Sequence, residues 1–168
     1  VAPPSPSRYV AVVGPGSCSE AEASLAAVVG AELARAGAAL VCGGLGGVME
    51  AACRGCAEAG GLTIGILPGA DRSAANPWVR VAIATGMGEL RNGLVVRTAD
   101  ALIAVGGAYG TLSEIALALK AGKPVVGLGT WRLPEALPAG AEGLPGPGIV
   151  AAVDAVDAVR RALAGVAR

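Results

Sequence analysis

The 168-residue chain is 54% hydrophobic and 15% charged, with 27 glycines, 11 prolines and 13 basic residues set against 13 acidic ones. That length fits one domain, the apolar content rules out a disordered chain, and the balanced charge argues against nucleic acid or an anionic membrane as partner. The composition has His 0, which removes Ser-His-Asp and Cys-His nucleophile pairs, a histidine general base and the HExxH zinc site.

Taken in chain order, Val1–Ser7 is a Pro/Ser segment without the apolar stretch of a signal peptide, so a cytoplasmic protein is expected. Residues 1–8 are expected to be a flexible tail, and 9–168 a single Rossmann-like nucleotide-binding domain. Tyr9–Val13 reads as a strand ending in Gly14-Pro15-Gly16-Ser17. Ser19, with Glu22 at capping-box spacing, opens a helix to about Ala36, which Gly37 stops. Ala39–Cys42 is a second strand, followed by Gly43-Gly44-Leu45-Gly46-Gly47 and a helix over Val48–Ala59. A third strand spans Leu62–Leu67, Pro68–Pro77 is loop, and Val79–Ala84 is a fourth strand. A helix over Glu89–Thr98 precedes a strand at Ala101–Val105, the turn Gly106–Gly110 and a helix over Thr111–Ala121. Pro124–Leu128 is the last strand expected, Gly129–Gly148 is Pro/Gly-rich loop, and Ala151–Leu163 is a closing helix.

Strands alternating with helices predict an α/β fold, Rossmann-like and doubly wound, with a mostly parallel sheet and helices on both faces. Arg91, Arg97 and Asp100 interrupt the best apolar run, which leaves no stretch of about 18 residues to span a membrane. Cys53 and Cys56 form a CxxC inside a helix while Cys18 and Cys42 stand alone, a pattern read as packing rather than metal or redox chemistry.

Ligands of open α/β sheets bind beyond the carboxyl ends of the strands. Three of those ends carry glycine-rich turns that open a helix, at Gly14–Ser17, Gly43–Gly47 and Gly106–Thr111. Tight βα turns need glycine anyway, but three in one sheet point to a phosphate-bearing ligand. Position 19 is Ser and strand two ends in Cys42-Gly43, so the dinucleotide fingerprint is missing; Gly122-Lys123-Pro124 is no P-loop. In Gly106–Glu114, Thr111 can cap a helix or hold a phosphate oxygen. Glu114 is either the acid of a T-x-x-E capping box or a carboxylate facing the crevice, off a core stripe of Leu112, Ile115, Ala116 and Leu119. Arg91 lies along an apolar strip with Leu94, Val95 and Thr98, so it needs an anion: Asp100, Glu114 or a ligand phosphate.

Gly43-Gly44-x-x-Gly47-x-Met49, then Arg91, then Gly106-Gly107-x-x-Gly110-Thr111-x-x-Glu114 together resemble the LOG-like superfamily. That superfamily includes nucleoside 5′-monophosphate phosphoribohydrolases and molybdenum cofactor carrier proteins. The resemblance implies Glu114 and Arg91 as catalytic residues in cleavage of an N-glycosidic bond, which releases base and ribose 5-phosphate without cofactor or metal. It implies Gly107, Gly110 and Thr111 as the phosphate cradle; with the glycine-rich turns, the expected ligand-binding residues are Gly14, Gly16, Ser17, Gly43, Gly44, Gly47, Met49, Gly106, Gly107, Tyr109, Gly110 and Thr111, although the first loop differs from the superfamily's usual Cys-Gly-Ser-Ser. An oxocarbenium-like state stabilised by a carboxylate needs no histidine, which suits this chain. Val105 in place of the hydrolases' proline, and Arg91-Asn92 in place of their Arg-Lys, look more like the carrier branch. The alternative is therefore a non-catalytic carrier of molybdenum cofactor, a phosphorylated pterin. Either way the expected partner is a small phosphorylated nucleotide or pterin, and the resemblance implies a homodimer or higher homo-oligomer.

Overall fold

The computed structural model describes residues 6, 8–133 and 148–166. Seven strands form one sheet: β1 Tyr9–Val13, β2 Ala39–Cys42, β3 Thr63–Leu67, β4 Val81–Ala84, β5 Ala101–Val105, β6 Val125–Leu128 and β7 Ile149–Ala151. Their order is β4-β3-β2-β1-β5-β6-β7, and every pairing is parallel. The helices are α1 Glu20–Arg35, α2 Val48–Glu58, α3 Asn92–Thr98, α4 Tyr109–Lys120 and α5 Ala155–Gly165. Inner strands of such a sheet are covered on both faces, which explains why β2, β5 and β6 are buried along their whole length.

Alternate residues of each strand feed two cores. Val10, Val12, Leu40 and Ile103 pack under α1, α2 and α5, while Ala11, Val13, Val41 and Leu102 pack under α3 and α4. The chain winds outward from β1 through β4, returns to the other side of β1 at β5, and continues to β7. The gap between the β1 and β5 ends is therefore the switch point of a doubly wound, Rossmann-like sheet. No helix among the described residues is long and apolar enough to cross a membrane.

The structure corrects four expectations. Ala151 is the last residue of β7, a strand too short to read from its three residues, and Asp154 caps α5, its side chain accepting from Asp157 N–H at 2.8 Å. The helix expected over Glu89–Thr98 begins as a 3-10 turn at Gly88–Arg91 and becomes α-helical only from Asn92. The fourth strand starts at Val81 rather than Val79, and α4 begins at Tyr109, two residues before Thr111. Most of the expected tail and much of the Gly129–Gly148 loop lie outside the described residues. Lys123 has a structural use: its Nζ donates to the carbonyls of Val96 and Arg97, at 2.8 and 3.2 Å, and to that of Ala99, closing the end of α3.

Helices α1 and α2 cross in direct backbone contact. A Cβ on Gly30 would lie 2.0 Å from the Ala52 carbonyl oxygen, and one on Gly55 would lie 1.9 Å from that of Ala27. Helix propensity alone favours alanine over glycine by about 1 kcal/mol. The crossing reverses that sign, because backbone oxygens cannot step aside. Gly55→Ala is expected to destabilise the fold by about 2 kcal/mol or more in urea unfolding; a variant more stable than the parent contradicts the close crossing.

Candidate functional site

The first two glycine-rich turns are packed against each other and against the end of β5. A Cβ on Gly14 would lie 2.5 Å from the Val105 carbonyl oxygen and 2.6 Å from Val48 Cγ1. Gly47 has φ +63°, and a Cβ there would lie 2.3 Å from the Pro15 carbonyl oxygen, the same oxygen that accepts from Val48 N–H at 3.1 Å. The turns after β1 and β2 are thus stitched to each other. The α1 N-terminus is closed as well, because the expected Ser19/Glu22 capping box forms: Ser19 N–H donates to Glu22 Oε2 at 2.8 Å and Glu22 N–H to Ser19 Oγ at 3.2 Å. Of the remaining predicted residues here, Gly16 and Ser17 are exposed, and Gly44 and Met49 are buried beneath the turns.

The third turn is different. Ala108 N–H donates to Thr111 Oγ1 at 3.3 Å, and no side chain caps the helix at Ala108. The first N–H groups of α4, at Tyr109, Gly110 and Thr111, precede the first intrahelical bond, from Leu112 N–H to the Ala108 carbonyl, and the positive end of the helix dipole lies behind them. A Cβ at Gly110 would meet nothing within 4 Å, whereas Gly107 is glycine because Trp131 lies over it, with Nε1 2.6 Å from where a Cβ would stand. Trp131 Nε1–H donates to the Ala108 carbonyl at 3.2 Å, and its ring lies 6.0 Å from that of Tyr109, which is 83% exposed. The sequence offered no way to place Trp131, since it falls within the Pro/Gly-rich stretch Gly129–Gly148.

Arg91 and Glu114 are drawn into the interior, at 8% and 7% exposure. Arg91 Nη1–H donates to the Ile66 carbonyl at 2.8 Å, and the guanidinium rests on Gly43, where a Cβ would lie 2.0 Å from Nη1. Its Nε is buried without a partner. Among the described residues the ion pairs within 4.0 Å join Arg35 to Glu32 and both Arg160 and Arg161 to Asp157, so Arg91 is not directly paired with any carboxylate. Asp100, one of its expected partners, instead accepts from Tyr9 N–H at 2.8 Å, at the opposite end of the sheet.

Glu114 is not a capping acid. With α4 beginning at Tyr109 it sits in the second turn, on the buried face with Thr111, Ile115, Ala118 and Leu119, while Ala116 of the expected stripe is exposed. Burial raises its carboxyl to about 7, against which the Arg91 charge pulls downward. Burial also lowers Arg91 from its ordinary value, opposed by Glu114 and then Cys42. Asn92 Nδ2–H donates to Ser113 Oγ at 3.1 Å, and Ser113 Oγ–H to the Gly110 carbonyl at 2.7 Å, which ties the start of α3 to the first turn of α4.

Cys42 forms the floor of this arrangement. Its Sγ accepts from Gly44 N–H at 3.3 Å and lies 3.4 Å from Cys53 Sγ; Cys42, Cys53 and Cys56 are all buried. The Cys53 thiol is held well above the ordinary range by sharing its hydrogen with Cys42 and then by burial, and burial pushes Cys56 up to about 11. The sequence placed Cys42 among packing residues, and only the fold sets it beneath Gly43 and Gly44. A separate cleft of about 300 Å³ between α3 and α4 is lined by residues that include Leu90, Leu94, Leu117, Arg97 and Lys120, and by neither Arg91 nor Glu114.

The fold is a doubly wound parallel sheet of the LOG-like Rossmann type, with an α4 start that no side chain caps and with Arg91 and Glu114 both buried. More narrowly, the SLOG cluster4 family matches residues 7–144, and the chain belongs to that family. It is 48% identical over 119 residues to an uncharacterized protein of Archaeoglobus fulgidus, a match covering 71% of this chain and 78% of the relative. Among solved structures it is similar to the molybdenum cofactor carrier protein of Chlamydomonas reinhardtii, at 36% identity and TM-score 0.79, covering 96% of this chain and 99% of that one. It is also similar to the molybdenum cofactor binding protein of Rippkaea orientalis, at 42% identity and TM-score 0.72, covering 74% and 77%.

The raised Glu114 carboxyl has a consequence for stability. Between its ordinary 4.5 and about 7, Glu114 is neutral in the fold but ionised in the unfolded chain. The stability this adds at acid pH is lost as pH rises through that window, by up to about 3 kcal/mol. Glu114→Gln abolishes the titration. Urea unfolding of the two proteins from pH 4.5 to 7.5 is expected to show the parent losing stability relative to the variant; parallel profiles contradict the buried, neutral carboxyl.

Proposed function

We propose that this protein binds and carries the molybdenum cofactor, a phosphorylated pterin, with the phosphate at the open N-terminus of α4. The observation that carries the reading is Arg91 Nε, a buried cationic donor without a partner, taken together with an α4 start that no side chain caps. A buried cation is costly without an anion, and one held at the α4 start would add favourable Coulomb energy to the Arg91 charge. With its carboxyl near 7, Glu114 is largely neutral below neutrality, so the Arg91 charge stays available to an anion. The likeness to two proteins described as binding or carrying that cofactor supports the choice of cargo.

In this reading Gly110, Thr111 and Tyr109 supply N–H donors, and Gly106 and Gly107 shape the turn. Gly14, Gly16, Ser17, Gly43, Gly44, Gly47 and Met49 form the neighbouring wall. The family resemblance also supports self-association, for which the α3/α4 cleft with Leu90 at 78% exposure is the favoured face.

The second reading is hydrolysis of a nucleoside 5′-monophosphate, favoured by the juxtaposition of Arg91 and Glu114. In it Glu114 would act as carboxylate against an oxocarbenium-like state and Arg91 would hold its charge in place. One experiment separates the two. The protein is mixed with molybdenum cofactor released from a molybdoenzyme, passed through a sizing column and assayed for molybdenum; in parallel it is incubated with nucleoside 5′-monophosphates and free base is followed. Co-eluting molybdenum without base release is expected. Base release that disappears in Glu114→Gln, with no molybdenum retained, contradicts the carrier reading.

Arg91→Gln is expected to weaken retention at least tenfold while the fold persists by circular dichroism, as for loss of a charged hydrogen bond worth about 1.5–3 kcal/mol. Unchanged retention argues against Arg91 as the phosphate partner.

A further inference from the structure

In doubly wound sheets the start of the helix after β1 is the ordinary seat of a pyrophosphate. Here it is occupied by the chain itself. Glu22 Oε2 accepts from Ser19 N–H and Ser19 Oγ–H, both at 2.8 Å, so the carboxylate is fixed over the first turn of α1. The other oxygen, Oε1, reaches across the switch point to β5: a Cβ on Gly106 would lie 2.1 Å from it. The hydrogen bonds from Ser19 hold the Glu22 carboxyl below its ordinary value, so it carries its charge at neutral pH. Behind it, the β1 turn is pinned by the Val48 N–H on the Pro15 carbonyl, and Gly14 is packed against Val105 and Val48. The turn after β1 thus presents a fixed negative charge where a second phosphate would sit, while α4 remains open.

We infer that Glu22 is a specificity-determining residue, restricting the crevice to ligands with a single phosphate monoester and turning away pyrophosphate-bridged dinucleotides. The inference rests on the reading that α4 holds a phosphate. It assigns Glu22 a use beyond the capping box, because capping engages only Oε2 and leaves Oε1 facing the switch point. A fixed carboxylate a few ångströms from a second phosphate, at a surface-like dielectric, costs on the order of a tenfold change in affinity.

The test is calorimetric titration of the full chain and of Glu22→Gln with adenosine 5′-monophosphate and with ADP-ribose, two probes that share adenosine and differ in the pyrophosphate. Glutamine retains the capping box and removes only the charge. The parent is expected to bind the monophosphate about tenfold or more tightly than ADP-ribose. Glu22→Gln is expected to narrow that gap by about tenfold, chiefly through tighter ADP-ribose, with monophosphate binding unchanged. Equal binding of the two probes by the parent overturns the inference without recourse to any variant. So does an unchanged preference in a Glu22→Gln protein whose circular dichroism matches the parent. If neither probe binds the parent, the inference falls; if the molybdenum cofactor is not retained either, the phosphate-cradle reading falls with it.

Discussion

A guanidinium held inside a protein with one donor unpaired is a standing electrostatic demand, and the site is organised around that of Arg91. Its Nη1 is fixed on the Ile66 carbonyl, at the carboxyl end of β3. Its plane needs the missing side chain of Gly43, and its charge faces Glu114 and Cys42. Moving any of these partners would leave a buried charge less well solvated, at a cost of several kcal/mol. The 3-10 turn Gly88–Arg91 ends on this buried side chain, immediately before α3 begins at Asn92.

The same constraint gives the crevice its polarity. On one side, Ser19 and Glu22 close α1 with a carboxylate; on the other, α4 starts without a cap. Arg91 sits at the ends of β2 and β3, against Gly43 and the Ile66 carbonyl, and its carboxyl neighbour Glu114 is largely neutral only below about pH 7. In the carrier reading proposed above, a negative wall, an open dipole and an incompletely satisfied arginine act together as an asymmetric anion receptor, which differs from the symmetric pyrophosphate clamp expected of a dinucleotide fold.

Much of the fold was legible in the sequence. The strands at 9–13, 39–42 and 101–105 stand where their apolar runs put them, because buried parallel strands have no polar alternation to blur their ends. The Ser19/Glu22 box was legible for a similar reason, since capping is local chemistry at fixed spacing. What escaped depended on tertiary contact. Strand β7 has three residues and exists because β6 offers an edge. The buried face of α4 could not be assigned from periodicity, because a carboxylate takes a place the pattern would give to an apolar residue. The glycines of the first two turns looked like phosphate glycines, yet their tight neighbours are Val48, Pro15 and Arg91. Sequence shows that a position is glycine, and only the fold shows what presses on it.

The most direct measurement is a ¹⁵N-resolved NMR titration with adenosine 5′-monophosphate that follows the arginine Nε–H resonance of Arg91 together with the backbone amides. If α4 and Arg91 form the phosphate receptor, the Arg91 Nε–H and the amides of Tyr109, Gly110 and Thr111 shift together along one saturable curve, while Ser19 and Glu22 stay still. Shifts centred on the α1 start, with Arg91 Nε–H unmoved at saturation, would contradict the account.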